Sequence, residues 1–436
     1  MPKVVQAQTA RPLPKGGRDV GGRNRSSAPR PSYGGIPPYD RNARENSSAA
    51  RTYPKNGGMG PQGEPLAVNK VKRQLDYSLM IVALILVAFG VTMVLSSSYY
   101  LAESSSMYDN DGLYFFKKQL IGAIIGTGCM IGFSFFNYHY LMKFRYVLLV
   151  IAAVLLAVVL VPGVGQDING SSRWIIIAGQ SVQPSEVAKF ALIVFISAII
   201  SRYRDKMKTF KYGLLPSLAV TGALCLLIYR QPNFSAIVCI FVTVMVMLFV
   251  GGAKGWHLGA LTGGGFAGGF GIMLSQSYRM DRVVSFLDPW QFADSKGYQV
   301  IQSLYAIGAG GLFGRGLGNS QQKLMYLPYG QSDFIFAIIV EELGFLGAIG
   351  LIGLFAFLVY RGVKVATKAP DLFGTSLACG IITIIAVQVA VNIAVVTSSI
   401  PPTGVSLPFI SYGSSSLVIF MSMIGILLNI SRQSRG

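Results

Sequence analysis

Apolar residues gather in ten runs, near 78–96, 118–136, 146–161, 183–201, 213–229, 234–250, 257–274, 333–359, 376–397 and 411–428. Most are about as long as a helix needs to cross a bilayer. The pattern predicts an all-α polytopic membrane protein with ten transmembrane helices. One connection, residues 275–332 between the seventh and eighth helices, is far longer than the others, and loops of that length in compact proteins are usually functional. Inside it, Phe286-Leu-Asp-Pro-Trp290 reads as a turn, and Gly297-Tyr-Gln-Val-Ile-Gln-Ser-Leu-Tyr-Ala-Ile-Gly as a short amphipathic helix suited to the membrane interface. A glycine-rich stretch follows, Gly308-Ala-Gly-Gly-Leu-Phe-Gly-Arg315-Gly-Leu-Gly318. It allows close backbone approach to a ligand, or simply the bending of a membrane-embedded loop. No strand, loop and helix pattern precedes it, so it is not a nucleotide fingerprint.

Composition agrees: 52% of the 436 residues are hydrophobic and 13% charged. The net charge of +19 would ordinarily raise nucleic acid as a partner, but more than half of it lies in residues 1–73, which hold 14 Lys/Arg against four Asp/Glu. That segment is rich in Gly, Pro, Ser, Asn and Arg and has no apolar periodicity, so it reads as a disordered basic cytoplasmic arm. Its basic residues serve orientation, or tether the arm to anionic lipid or an acidic partner. It lacks the short apolar core and small-residue cleavage site of a signal peptide, so 78–96 reads as a retained first helix. The membrane domain then covers 74–430, with the large extracellular loop at 275–332, and 431–436 form a cytoplasmic tail.

Orientation follows from the basic residues. Lys143, Arg145, Arg202, Arg204, Lys206, Lys208, Lys211, Lys254, Arg361, Lys364, Lys368, Arg432 and Arg435 fall on one side, which the positive-inside rule makes cytoplasmic together with both termini. The other side carries few basic residues, mainly Lys117, Lys118, Arg173 and Arg230, and also Glu103, Asp109, Asp111 and Asp167. Cys129, Cys225, Cys239 and Cys379 all lie in apolar runs, where thiols act as small hydrophobes and not as disulfide or metal partners.

Charges inside apolar runs mark the candidate chemistry, because a carboxylate in a membrane helix is costly and is usually kept for function. In Leu327-Pro-Tyr-Gly-Gln-Ser-Asp333-Phe-Ile-Phe, Asp333 opens the eighth helix at its outer end. Glu341 lies about 12 Å deeper at 1.5 Å per residue, so the two are no adjacent acid–base pair. Glu341 and Glu342 are expected to be neutral or paired. Asp333 reads equally as a helix cap together with Ser332. A second group is Asn169-Gly-Ser-Ser-Arg173-Trp174 followed by Gln183-Pro-Ser-Glu186-Val-Ala-Lys189. Glu186 and Lys189 sit three apart on one helical face and can pair, while Arg173 and Trp174 suit a phosphate-rich headgroup zone. Interfacial anchoring plus a structural ion pair accounts for the same residues. A third group runs from Asn392 through Pro401-Pro-Thr-Gly404-Val-Ser-Leu-Pro408-Phe-Ile-Ser411-Tyr412-Gly413, a re-entrant or broken-helix segment tolerated at membrane depth only where it is buried or lines a cavity. His139 and His257 both map to the cytoplasmic side, which excludes a Ser-His-Asp site on the outer face.

Taken in order, these motifs resemble the SEDS family (shape, elongation, division and sporulation), the FtsW/RodA/SpoVE group. The resemblance covers roughly residues 75–432. It includes Asn-Gly-x-x-Arg-Trp, Gln-Pro-Ser-Glu-x-x-Lys, Gln-Pro-Asn at 231–233, Asp-Pro-Trp, Gly-Tyr-Gln-x-x-Gln-Ser-Leu, Gln322-Lys323-x-x-Tyr326-Leu-Pro, Asp333-Phe-Ile-Phe and Leu-Pro-Phe-Ile-Ser-Tyr-Gly. The closing Leu427-Leu-Asn-Ile-Ser-Arg-Gln-Ser-Arg is closer to the FtsW/SpoVE branch than to the elongation branch. The resemblance implies a peptidoglycan glycosyltransferase that polymerises lipid II on the outer face of the bacterial cytoplasmic membrane, in cell division or sporulation. It implies a class B penicillin-binding transpeptidase and other divisome or sporulation membrane proteins as partners, and no nucleic acid. The family's essential aspartate corresponds to Asp333. The other motif positions, Arg173, Trp174, Glu186, Lys189, Gln299, Gln302, Ser303, Arg315, Lys323, Ser411 and Tyr412, become candidate substrate-binding residues. Arg173, Arg315 or Lys323 would stabilise the leaving pyrophosphate, with or without a divalent cation such as Mg or Mn.

The chain departs from the family pattern in places. Pro328-Tyr-Gly-Gln-Ser precedes Asp333 where relatives commonly have Pro-Glu and then other polar residues; Asn233-Phe-Ser replaces Asp-Leu-Gly; Ala394 and Ser398 stand where glycines are frequent; and Ser414 replaces the second glycine of Tyr-Gly-Gly. A nearby acid and two hinges are therefore absent, as in a divergent member of reduced or specialised activity. The competing readings are a flippase for lipid-linked precursors and a non-catalytic scaffold for the transpeptidase. A transporter keeps paired ionisable residues near the midplane, as Glu186, Lys189, Glu341 and Glu342 allow, but the internal repeat common in transporters is not visible here.

Overall fold

The structure is a computed structural model that describes residues 75–168, 171–177, 179–274, 284–295 and 297–434. The basic arm, Asn169 and Gly170 of the Asn-Gly motif, the first part of the long loop at 275–283 and residues 435–436 lie outside the described residues.

A helix occupies each of the ten apolar stretches: α1 (Tyr77–Glu103), α2 (Tyr114–Phe135), α4 (Arg145–Val158), α5 (Pro184–Arg202), α6 (Leu215–Tyr229), α7 (Phe234–Val250), α8 (Gly255–Leu274), α10 (Ile335–Thr367), α11 (Leu372–Val396) and α12 (Ser414–Gln433). The short helices α3 (His139–Lys143) and α9 (Tyr298–Gly310) lie in connections, α9 where the amphipathic pattern of the long loop predicts it. Among the described residues, seven helices are long and apolar enough to cross a membrane, while α4 and α7 are shorter apolar helices. Helix starts follow local chemistry. Asp76 caps α1 by accepting from the Leu79 amide at 3.1 Å, Asn233 caps α7 through Ala236 at 3.3 Å, and Asp371 caps α11 through Gly374 at 2.7 Å. α1 runs beyond residue 96 because its serines turn back on the helix, Ser98 donating to the Val94 carbonyl at 2.6 Å, so polarity there does not end it.

α5 is buried nearly all round and forms the centre of the bundle. α2 and α12 pack backbone to backbone at Gly122 and Gly126, four residues apart. A Cβ on Gly122 would lie 2.8 Å from the Ser414 Cβ, and one on Gly126 3.1 Å from the Met421 Cγ, the close approach that paired small residues permit.

Two features correct the sequence reading. The chain is mostly but not wholly helical. β1 (Gly165–Ile168), β2 (Ser171–Ile177) and β3 (Gln180–Val182) form a small antiparallel sheet in the order β1-β2-β3, with Ile175 opposite Val182 and Ile176 opposite Ser181. The β-branched run Ile175-Ile176-Ile177 places Ile175 inside and Ile176 outside, as a strand alternates. Second, α10 is broken at Gly344, whose φ of 70° and ψ of −170° are non-helical. The break is filled by the glycine-rich stretch. The Arg315 and Gly316 amides donate to the Glu341 and Glu342 carbonyls at 3.0 and 2.9 Å, and the Phe345 amide donates to Gly311 at 2.9 Å.

Candidate active site

The end of α11 and the starts of α2, α5, α7, α9 and α12 surround a cavity of about 670 Å³. The opposite end of the bundle is tied by Arg361 to Asp76 at 2.7 Å and by Tyr138 and His139 to Asp371 at 2.9 and 2.6 Å. The cavity lining includes Arg173, Trp174, Glu186, Lys189, Gln299, Asp333, Ser411 and Tyr412, so residues from all three sequence groups meet there.

Asp333 sits in the loop before α10. That helix begins at Ile335 with Phe334 in the cap position, and Ser332 Oγ donates to Tyr329 O at 3.3 Å. The loop is strapped to the segment between α11 and α12. Asn392 Nδ2 donates to the Asp333 carbonyl at 2.8 Å, Ser411 Oγ to the Ser332 carbonyl at 2.6 Å, and the Tyr412 amide to the Gln331 carbonyl at 3.0 Å. The Leu407 amide in turn donates to Ser411 Oγ at 2.7 Å, and the Tyr412 ring packs edge-on against Phe115 at 4.9 Å. Gly404, with φ of 71°, comes so close that a Cβ there would lie 3.3 Å from Asp333 Oδ2. Ser411 and Tyr412 therefore reach the carboxylate through the main chain that carries it. Gln299 acts in the same way, its Nε2 donating to the Pro328 carbonyl at 3.0 Å.

Glu186 and Lys189 form an ion pair at 2.6 Å on the first turns of α5, both 3% exposed. Among the described residues, no protein group donates to Glu186 Oε2 or Gln388 Oε1, and both residues line the cavity. Buried acceptors of this kind are normally met by water or a ligand. Arg173, on β2, donates to the Gln231 and Pro232 carbonyls at 3.3 and 2.5 Å. Among the described residues, no three or more His, Cys, Asp or Glu side chains come together to hold a metal ion. Of the two carboxylates in the lining, Glu186 is committed to Lys189.

Four sequence candidates are placed elsewhere. Ser303 is fully buried and donates to Val396 O at 2.8 Å, and Gln302, beside it on α9, is not in the cavity lining. Arg315 lies 3.4 Å from Glu341, and Lys323 lies 3.2 Å from Glu342 and 3.4 Å from Ser96, so both basic residues neutralise the carboxylates at the break in α10. Their amides and neighbours complete that clamp: the Gln321 and Gln322 amides donate to the Glu341 carboxylate at 3.0 and 3.3 Å. The cavity also has lining residues that the motifs do not mark, chiefly Tyr108, Tyr114 and Lys118. Lys118 is visible in the sequence only as a basic residue against the positive-inside trend. Burial, and then the neighbouring Tyr114 and Tyr329, push the Tyr108 phenol above its ordinary value, so it stays a protonated donor at neutral pH.

Residues 76–436 match the family model described as cell cycle protein, FtsW/RodA/SpoVE. Stage V sporulation protein E of Bacillus subtilis strain 168 is 43% identical over 364 residues, covering 84% of this chain and 99% of that protein. A probable peptidoglycan glycosyltransferase FtsW of Geobacter sp. strain M18 is 39% identical over 366 residues, covering 83% and 98%. Among solved structures, a chain from a peptidoglycan synthase complex, studied for the coordination of polymerization and crosslinking, overlays with a TM-score of 0.66 at 27% identity, covering 83% of this chain and 98% of that one. The rod shape determining protein RodA of Thermus thermophilus overlays with a TM-score of 0.60 at 26% identity, covering 83% and 98%. By motif order, by full-length identity and by fold, this chain belongs, as a multi-pass membrane protein, to the FtsW/RodA/SpoVE family.

Proposed function

We propose that this protein is a peptidoglycan glycosyltransferase that polymerises lipid II into glycan strands on the outer face of the bacterial cytoplasmic membrane. It does so in cell division or sporulation, through ten membrane-crossing helices with both termini in the cytoplasm. The observation that carries this reading is Asp333 in the lining of a cavity that also holds Arg173, Lys118 and the Glu186–Lys189 pair. A carboxylate there takes the proton of the acceptor sugar hydroxyl as its oxygen bonds to the donor's anomeric carbon. The bond from that carbon to the pyrophosphate breaks, and its electron pair leaves with undecaprenyl pyrophosphate, whose charge the cavity's basic residues stabilise. Oxocarbenium chemistry of the glycosidase kind applies by analogy, with a sugar in place of water. Among the described residues no three or more His, Cys, Asp or Glu side chains gather into a cage for Mg or Mn.

A class B penicillin-binding transpeptidase is the proposed partner, supported by the solved relative in a peptidoglycan synthase complex. The flippase reading is weakened by geometry. A carrier alternates its site between two sides, whereas Glu186, Glu341 and Glu342 each have a fixed cationic partner within the chain.

The test is lipid II polymerisation by the purified protein, alone and with candidate transpeptidases, comparing wild type with Asp333→Asn. The variant keeps size and polarity but not basicity, so it should fold and bind the partner while strand synthesis falls by ~10² or more. Wild-type rates from well-folded Asp333→Asn would move the base elsewhere. Movement of lipid II across vesicles with no strand synthesis under any partner would leave a flippase.

A further inference from the structure

Three basic side chains line the cavity among the described residues: Lys189, Arg173 and Lys118. Lys189 is neutralised by Glu186 at 2.6 Å, and Arg173 is turned onto the Gln231 and Pro232 carbonyls. Lys118 differs from both. Its Nζ donates to the Tyr114 hydroxyl at 2.6 Å and stands 4.3 Å from the centre of that ring. Among the described residues no carboxylate pairs with it, although its neighbour Lys117 is paired with Asp111 at 2.7 Å.

An ammonium has three N–H donors, and the phenol takes one, leaving two for a ligand. Tyr114 accepts from Lys118 and keeps its own O–H to donate. Tyr108, with its ring 5.0 Å from that of Tyr114, adds a second phenol to the same wall. One cation and two hydroxyl donors beside apolar rings suit a group with several anionic oxygens and an apolar chain attached.

The position of this wall relative to Asp333 is built in. Ser414 Oγ donates to the Lys118 carbonyl at 3.0 Å, Gln119 Nε2 to the Ser411 carbonyl at 3.2 Å, and the Gly413 amide to Gln119 Oε1 at 3.1 Å. Ser411 Oγ in turn holds the Ser332 carbonyl, next to Asp333. The 411–414 segment thus fixes both the start of α2 and the Asp333 loop.

We propose that Lys118, with Tyr114 and Tyr108, binds the pyrophosphate of the lipid-linked donor and receives its charge when the glycosidic bond forms. This places on α2 the role that the sequence reading offers to Arg173, Arg315 or Lys323. The identity of the ligand rests on the glycosyltransferase reading, but the test reads binding alone.

The full-length protein is reconstituted in phosphatidylcholine nanodiscs, and binding of undecaprenyl pyrophosphate is compared with binding of undecaprenol, neither of which can react. Wild type should prefer the pyrophosphate. Lys118→Met should cut that preference about tenfold or more, the scale of one lost charge-assisted hydrogen bond. Lys118→Arg should restore most of it, and Lys118→Gln, which keeps a donor to Tyr114, should behave like Met and serve if Met melts early. Inorganic pyrophosphate should compete in wild type and lose potency in Lys118→Gln. An unchanged preference in folded Lys118→Gln overturns the proposal. So does displacement of the probe by added phosphatidylglycerol as strongly as by inorganic pyrophosphate, which would make this a phospholipid headgroup site. Lys118-dependent pyrophosphate binding in a protein that makes no glycan strands would sink the polymerase reading alone and leave the anion site standing.

Discussion

Glu186 and Lys189 are almost sealed from solvent, each 3% exposed, and neither has a second charged partner among the described residues. Breaking a buried ion pair by removing one member leaves an uncompensated charge and typically costs about 3–5 kcal/mol, whereas replacing both members can be close to neutral. Lys189→Met should therefore lower the melting temperature of the detergent-solubilised protein sharply, and Glu186→Gln with Lys189→Met should recover much of the loss. A single variant that melts like wild type would show water or a ligand already compensating Glu186. At this scale the sequence was informative where charge stood out against apolar neighbours, as with Asp333, Glu186 and Lys189. It did not show the partners of Arg315, Lys323 and Ser303, because Glu341, Glu342 and the Val396 carbonyl lie far along the chain and spacing carries no information about them.

The element that most departs from expectation is α10. Its polar residues Glu341 and Glu342 read from the sequence as an intramembrane cost to be neutralised, and the structure shows the means: a break at Gly344 into which the glycine-rich stretch folds. The φ of 70° alone disfavours any L-residue by about 1–2 kcal/mol, and a Cβ at Gly344 would lie 2.5 Å from the Leu312 carbonyl oxygen, which is backbone and cannot swing away. Gly353, on the same helix, has nothing within 4 Å of a built Cβ. Thermal melting should therefore separate the two substitutions. Gly344→Ala should destabilise strongly, and Gly353→Ala should be neutral or stabilising by up to about 1 kcal/mol, since alanine is the better helix former. Equal effects would mean that α10 tolerates a continuous helix there. The β1-β2-β3 sheet escaped the hydropathy reading because its strands are short and amphipathic, although the Ile175-Ile176-Ile177 run and Gly179 at φ of 77° carry the signature of a hairpin.

For the molecule as a whole, the charge bias of the connections and the position of the cavity make one joint statement. The Asp76–Arg361 and His139–Asp371 pairs mark one end of the bundle, and Asp333, Arg173 and Tyr412 line the cavity at the other. If the first end is cytoplasmic, impermeant thiol reagents added outside intact cells should label single cysteines placed at 312–326 and leave those placed at 204–211 untouched. The reverse pattern would turn the cavity inward and remove it from lipid II on the outer face. The apolar helices and their order were legible in the chain because burial in a bilayer forces long apolar runs, and the gathering of basic residues in alternate connections was legible as charge. The motif order likewise identified the family. What the chain alone left open was which polar residues share a cavity. That is decided by helix ends brought together from across the sequence, by the 401–413 segment strapped onto the Asp333 loop, and by a glycine-lined break that draws Arg315 and Lys323 to Glu341 and Glu342 instead. These choices depend on hydrogen bonds and ion pairs between distant residues, which hydrophobic periodicity does not encode.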